Sequence, residues 1–438
     1  MRSPVITLRE HGTAQIAETW SSVAKCVTRR FANGLDRLQA RTRTDICTVS
    51  HRFIKAHQHV GSICVEGHTL DIVPKVDCVI QTARQNLIQM LVGAGMVPSI
   101  EAGIAGLDVS TFSLLDIFML VYLRQLSQEW RRGRILSYRK LDQNRVFLRG
   151  KLLFQDQVAH NLLHPERFFT RADEFLVDIP ICRLLKAAVS VCRVAGGSEL
   201  VCRQALELLP EFDGVDDVSF PSTQLMAVST DRRTERFAPA VALAKLILSS
   251  RVPDQPGEGL TFSLLFDMNV VFERLIGRLI CGVARENACL GIQQDRRHSL
   301  LVKDGKSHFG LRPDTVIYTR DHIPLCIVDT KWKQLNLDQS NSGVNQGDIY
   351  QAYAYGKEFG CKRVIILYPR TGNLVPRVAV YRHRPGSEMC PSVEIWTIDV
   401  CGEKQNRLCP QLRVAIDRMI FHSVTNAVSE DCILTTSR

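Results

Sequence analysis

The chain has 438 residues, 45% of them apolar and 23% charged, which suits a soluble globular protein of two or three domains and excludes a disordered or fibrous one. A net charge of +10 favours a polyanionic partner, of which nucleic acid is the commonest. Fifteen scattered cysteines form no CxxC pair and no zinc-finger spacing, so they read as small buried hydrophobes in a reducing cytoplasm rather than a disulfide framework.

The opening MRSPVITLREHG has no apolar signal core, and LLDIFMLVYL is too short for a membrane span and carries Asp116. The expectation is a soluble, cytoplasmic protein with no membrane contact. PVITLREHG reads as a first strand, with Cys47-Thr48-Val49 and Gly61 to Val65 as further strands. Thr69 to Lys75 alternates apolar and polar residues and meets Pro74, as an edge strand does. Residues 1–110 are therefore expected to form a mostly β domain. The period turns helical from about residue 79, with Ile80, Leu87, Leu91 and Val92 on one face. A second helix runs from Leu114 to Val121, behind Ser and Thr residues suited to cap it.

The next stretch, 131–151, carries Arg131, Arg132, Arg134, Arg139, Lys140, Arg145, Arg149 and Lys151 against Asp142 alone. It can contact a DNA backbone or an acidic partner, or it is simply a solvated basic face. Helical spacing at Ile181, Leu184, Leu185 and Ala188, and again at Leu206, Leu208 and Leu209, makes 111–252 a helical middle region. The Pro- and Gly-rich segment 253–259 is the linker to a last domain, 253–438. That domain is expected to open with a helix from Phe262 to Ile280. A hairpin follows, then a helix from Asp348 to Phe359, strands at 364–368, 378–381 and 393–396, and a final helix from Leu412 to Ile420. This order is α/β.

The hairpin carries the chemistry. Thr315 to Tyr318 and Leu325 to Val328 flank a polar turn. Antiparallel pairing brings Asp314, at the start of one strand, to Asp329, at the end of the other. Lys331 lies two residues on and shares the face of Asp329. Two carboxylates and an ammonium suit a hard divalent cation beside a phosphate, with the Thr330 carbonyl as a further ligand. Lys331 then stabilises the transition state or orients a water. Glu273, in the preceding helix, is either a third acidic ligand or a helix-face residue paired with Arg274 or Arg278. Gln351 and Tyr355, four residues apart, share a helix face, from which they can contact DNA or brace the lysine. Lys333 is a candidate contact for DNA or a partner. Gly305-Lys306-Ser307 lacks the first glycine of a phosphate loop, so no nucleotide site is expected in this chain. His57, His59 and His68 lack a partner at defined spacing and read as surface or core residues.

Pro313-Asp314, Asp329-Thr330-Lys331 and the Gln351-x-x-x-Tyr355 helix together resemble the PD-(D/E)xK nucleases. RPDTVIY, VDTKWK, GDIYQAYAYGKEF and FDMNVVFERLIG, with IVPKVD and the basic segment upstream, look like McrC, the nuclease subunit of methylcytosine-dependent restriction systems. The resemblance spans roughly residues 60 to 380. It implies a mixed sheet flanked by helices in the C-terminal domain, preceded by a β-rich and helical docking region. It also implies a Mg2+- or Mn2+-dependent endonuclease acting with a hexameric AAA+ GTPase similar to McrB on modified double-stranded DNA. The partner would supply the nucleotide motor and base recognition, and the basic segment would then serve the partner rather than DNA. Residues 1–45 and those beyond about 400 look like additions to a compact member of the family. Two other classes stand beside this reading: a repair nuclease similar to RecB that works without a motor, and a non-catalytic adaptor of an AAA+ motor.

Overall fold

In the computed structural model, residues 5–99, 112–218, 220–252, 261–382, 390–402 and 408–422 are described. Ser110, Thr111 and the expected linker at 253–259 lie outside them, as does the side chain of Arg139.

Pleat alternation divides the C-terminal sheet between two cores. Ile317, Cys326, Val328, Ile365 and Leu367 join the larger core with Val271, Phe272 and Leu275 of the helix Met268–Glu286. The alternate residues Val316, Tyr318, Ile327, Val364, Ile366 and Tyr368 pack with Ala352, Tyr355 and Phe359, at and just beyond the helix Gln346–Glu358. The six strands run in the order Leu290–Gln293, Thr315–Tyr318, Pro324–Thr330, Arg363–Pro369, Ser392–Ile398, Arg377–Tyr381. The two central pairings are parallel and the outer ones antiparallel. The result is a mixed sheet with a helix on each face, the second helix being the Gln351/Tyr355 helix.

A five-stranded sheet lies upstream, in the order Ile6–Arg9, His68–Val73, His59–Val65, Thr261–Asp267, Arg251–Val252. Two expectations change here. The segment from Phe262 is not yet helical: Phe262, Leu264 and Phe266 are buried with a period of two, and the segment pairs antiparallel with His59–Val65. The helix begins at Met268, where the Asp267 side chain accepts from the Asn269 amide as its N-cap. The sheet thus takes a strand from each side of the expected linker. In the second change, the strand ending before Pro74 is internal. It pairs on one side with Ile6–Arg9 and on the other with His59–Val65. Pro74 is tolerated because the ladder ends one residue earlier, at the Arg9–Val73 pair. Gly61 is required in this sheet: its φ is +139°, and a Cβ there would meet the Leu264 carbonyl oxygen at 1.9 Å.

A four-stranded sheet and the helix Arg29–Thr42 complete the N-terminal part. The middle part holds the helices Leu114–Arg131, Pro180–Ala195, Glu199–Leu208 and Ala238–Ser249. Ser113 caps the first of them by accepting from the Asp116 amide. This part is not wholly helical, because the basic stretch enters a three-stranded sheet of Ser137–Arg145, Phe168–Leu176 and Lys151–Leu152. One continuous core joins all these parts through Met268–Glu286, which packs on both the C-terminal sheet and the helix Ile80–Gly93. No helix among the described residues is long and apolar enough to cross a membrane.

Candidate active site

The hairpin register pairs Thr315 with Val328, so one further step sets Asp314 beside Asp329 at the end of the two strands. Thr330 fixes this corner. Its amide and hydroxyl both donate to Asp314 Oδ2, at 2.7 and 2.6 Å. Asp329 is 3% exposed. Its Oδ2 lies 2.8 Å from Lys331 Nζ.

Lys331 then donates to Gln351 Oε1 at 3.0 Å, and Gln351 Nε2 donates to the Tyr355 hydroxyl oxygen at 2.7 Å. The Tyr355 hydroxyl in turn donates to the Arg312 carbonyl at 3.2 Å, two residues before Asp314. The site is thus a closed ring: hairpin to lysine, lysine to helix, and helix back to the backbone that carries Asp314. The i, i+4 spacing of Gln351 and Tyr355 makes this possible, because both side chains leave one face of the helix.

Burial pushes the Asp329 carboxyl up to about 6, helped by the charge of Asp314 and opposed by Lys331. Burial works against the charged form of Lys331, but Asp329, Asp348 and Asp314 outweigh it and hold the ammonium above its ordinary value. Glu273 is also raised, first by burial and then by Asp314. Its Oε1 accepts from Gln294 Nε2.

Among the described residues no three His, Cys, Asp or Glu groups are close enough to form a ligand cluster. The three expected ligands are therefore not gathered as one set: Asp314 meets Asp329, while Glu273 feels Asp314 but is held by Gln294. The donor chemistry nonetheless fits a hard cation. The bonds from Thr330 use one oxygen of Asp314 and the pair with Lys331 one oxygen of Asp329, so each carboxylate has a second oxygen. Burial raises Asp329 first and the charge of Asp314 adds to it, and a divalent ion would relieve that repulsion.

The other candidates fall elsewhere. Arg132 pairs with Glu129 at 2.7 Å and Arg134 with Glu211 at 2.8 Å. With the exposed Arg131 they stand around the end of the helix Leu114–Arg131. Arg139 lies in the three-stranded sheet. Lys333 does reach the site helix, pairing with Asp348 at 3.0 Å. Gly305 turns an exposed hairpin between Ser299–Lys303 and Lys306–Gly310, which is not a phosphate loop opening a helix. Sequence reasoning missed the roles of the Thr330 amide and hydroxyl, Gln294 and Asp348. Only Asp348 had a local signal, three residues before Gln351 on the same helix face.

The fold and the corner define a mixed α/β protein with two carboxylates and a lysine gathered at a sheet end. The family model described as McrBC 5-methylcytosine restriction system component matches residues 54–369. The chain belongs to that family. Two solved assemblies from Thermococcus gammatolerans contain similar chains. One, described as a refined half-complex from a tetradecameric assembly of McrB AAA+ hexamers with bound McrC, matches with a TM-score of 0.75 at 19% identity, over 95% of this chain and 100% of that one. The other, described as the McrBC complex, matches with a TM-score of 0.53 at 24% identity, over 63% of this chain and 87% of that one. No curated protein matches the chain.

Proposed function

We propose that this chain is the DNA endonuclease subunit of a McrBC-type restriction complex, with a PD-(D/E)xK site fed by a McrB-like hexameric AAA+ GTPase, cutting modified double-stranded DNA in the cytoplasm. The observation that carries the reading is the closed ring from Asp314 through Thr330, Lys331, Gln351 and Tyr355 back to Arg312.

Asp314 and Asp329 are the residues to hold Mg2+ or Mn2+, with the Thr330 carbonyl as a further ligand, and Glu273 would have to leave Gln294 to join them. The ion would polarise a phosphoryl oxygen and acidify a bound water. Lys331 faces the charge that builds on the phosphoryl group, and Asp329 keeps it protonated. Gln351 fixes the ammonium, and Tyr355 fixes Gln351. Burial of Asp329 at the end of the sheet strengthens its pairing with Lys331 relative to water.

The partner reading rests on a separate surface. The short helix Phe154–Asn161 and the two residues after it expose Phe154 at 75%, Leu162 at 76% and Leu163 at 86%, in the same segment of chain as the exposed basic residues Lys140, Arg149 and Lys151. Such an apolar cluster suits a protein partner better than a DNA backbone. Replacing Asp329 by Ala should abolish cutting while the partner still binds and its GTP hydrolysis is still stimulated. Undiminished cleavage by that variant would overturn the nuclease assignment. Loss of cutting with stimulation retained would also exclude a purely adaptor role.

A further inference from the structure

We propose that Lys333, anchored by Asp348 and Tyr368, forms a subsite for the phosphate next to the scissile one on the same DNA strand. The inference rests on the nuclease reading above and extends it to a second contact.

Lys333 lies two residues beyond Lys331 in the segment that leaves the central strand, and both ammonium groups reach the helix Gln346–Glu358. Lys331 meets Gln351, whereas Lys333 meets Asp348, with Nζ at 3.0 Å from Oδ2 and 3.4 Å from Oδ1. The two anchors are three residues apart on one helix face, about 4.5 Å along its axis. Lys331 and Lys333 lie at most about 7 Å apart along the chain, so a DNA strand with its scissile phosphate at Lys331 brings the next phosphate, about 3.4 Å further along the duplex axis, within reach of Lys333.

The environments of the two lysines differ. The Lys331 side chain is 19% exposed and sits against a buried carboxylate. The Lys333 side chain is 54% exposed, yet its anchor Asp348 is only 12% exposed. The Tyr368 hydroxyl also donates to Asp348 Oδ2, at 3.4 Å. The acid end is therefore fixed, and the cation end stands at the solvent. An ammonium has three N–H donors, and a carboxylate on one side leaves the outer side for a second anion. Holding the lysine in place beforehand lowers the entropy lost when a phosphate binds. Asp348 and Tyr368 are thus positioning residues, and Lys333 is the contact.

The test is the salt dependence of binding to a short fluorescein-labelled DNA duplex, measured by anisotropy with the full chain in an Asp329→Ala background. Lys333→Ala should weaken binding about tenfold on every sequence and lower the slope of log K against log[salt] by about 0.9, the value of one phosphate contact. Lys333→Arg should restore the slope. Asp348→Asn should weaken binding severalfold with the slope unchanged. If Lys333→Ala lowers the thermal midpoint but leaves affinity and slope intact, the pair is only a structural ion pair and the inference falls. Asp329→Ala alone is assayed for cutting in parallel. Persistent cleavage there would sink the nuclease reading, whereas an unchanged slope in Lys333→Ala would sink only this subsite.

Discussion

The indole N–H of Trp332 lies between both carboxylate oxygens of Glu10, at 3.1 and 3.0 Å, across 322 residues of sequence. The Lys75 amide donates to Glu10 Oε2 at 2.9 Å, and the Gln334 side-chain amide donates to the Lys75 carbonyl at 3.1 Å. The residues just after Lys331 are therefore clamped to the N-terminal sheet. Burial lifts Glu10 from its ordinary 4.5 to about 7. Between those values the folded protein holds a proton that the unfolded chain has lost, so this group makes stability fall as pH rises from 4.5 to about 7 and level off above. Glu10→Gln should remove that fall, on the order of 3 kcal/mol, and denaturant titrations at several pH values would show it. A wild-type curve with no decline over that range would refute the assignment.

Trp332→Phe keeps the ring but deletes the donor, leaving buried Glu10 with one fewer partner. A loss of about 1–3 kcal/mol is expected, seen as a lower denaturation midpoint with an unchanged slope against denaturant.

Lys331 is the cation for a carboxylate that is 3% exposed. Lys331→Met should abolish cutting. It should also destabilise the fold by about 3 kcal/mol at pH 8, because a buried charge loses its partner. The sign follows from Asp329, which is already pushed up to about 6 with the lysine present and rises further without it. Once pH falls well below that value the carboxyl is neutral and the cost disappears. The thermal midpoints of variant and wild type should converge near pH 5, roughly a unit below that value. A constant gap at all pH values would count against the pairing.

How much of this was legible in the sequence depends on the reach of each contact. Asp314, Asp329 and Lys331 could be placed because strand alternation and hairpin pairing are local rules. Gln351 and Tyr355 followed from one helical turn. The strand at Thr261–Asp267 was not legible, because Leu265 and Met268 also fit helical spacing, and only pairing with His59–Val65 decides for a strand. Pro74 suggested an edge for the same reason: its missing N–H matters only within the ladder, and the ladder stops at Val73. Glu10 gave no local sign at all, since its partner lies in the other half of the chain.

The pair of Asp71 and Arg84 is another such long-range feature. Asp71 is fully buried, and its Oδ2 accepts from Arg84 at 2.9 Å and from the Leu114 amide at 3.1 Å. Arg84 also donates to Thr7 Oγ1 and to the Phe112 carbonyl, each at 2.9 Å. This one guanidinium ties the first strand, the helix Ile80–Gly93 and the start of Leu114–Arg131 together. Arg84→Met should cost about 3–5 kcal/mol, because it strands a buried carboxylate. Adding Asp71→Asn should recover part of that loss, and a double-mutant cycle in denaturant measures the coupling. Additive effects would mean that the two residues do not share one network.

The exposed apolar cluster gives a prediction that separates the two halves of the proposed function. Leu163 and Phe154 contribute almost nothing to the core, being 86% and 75% exposed. Leu163→Glu and Phe154→Glu should therefore leave the thermal midpoint nearly unchanged, since surface changes of this kind usually fall within about 0.5 kcal/mol. If this surface seats on an AAA+ hexamer, burying a charge in the interface should weaken association at least tenfold and remove stimulation of GTP hydrolysis. The Asp314–Asp329 corner is built from other elements of the chain and should be untouched. Asp329→Ala makes the opposite prediction, with association and stimulation intact and cutting lost. Isothermal titration against the partner hexamer and a GTPase assay read both outcomes. If the two surface variants still bind and stimulate fully, the partner docks on another face and the cluster needs a different occupant.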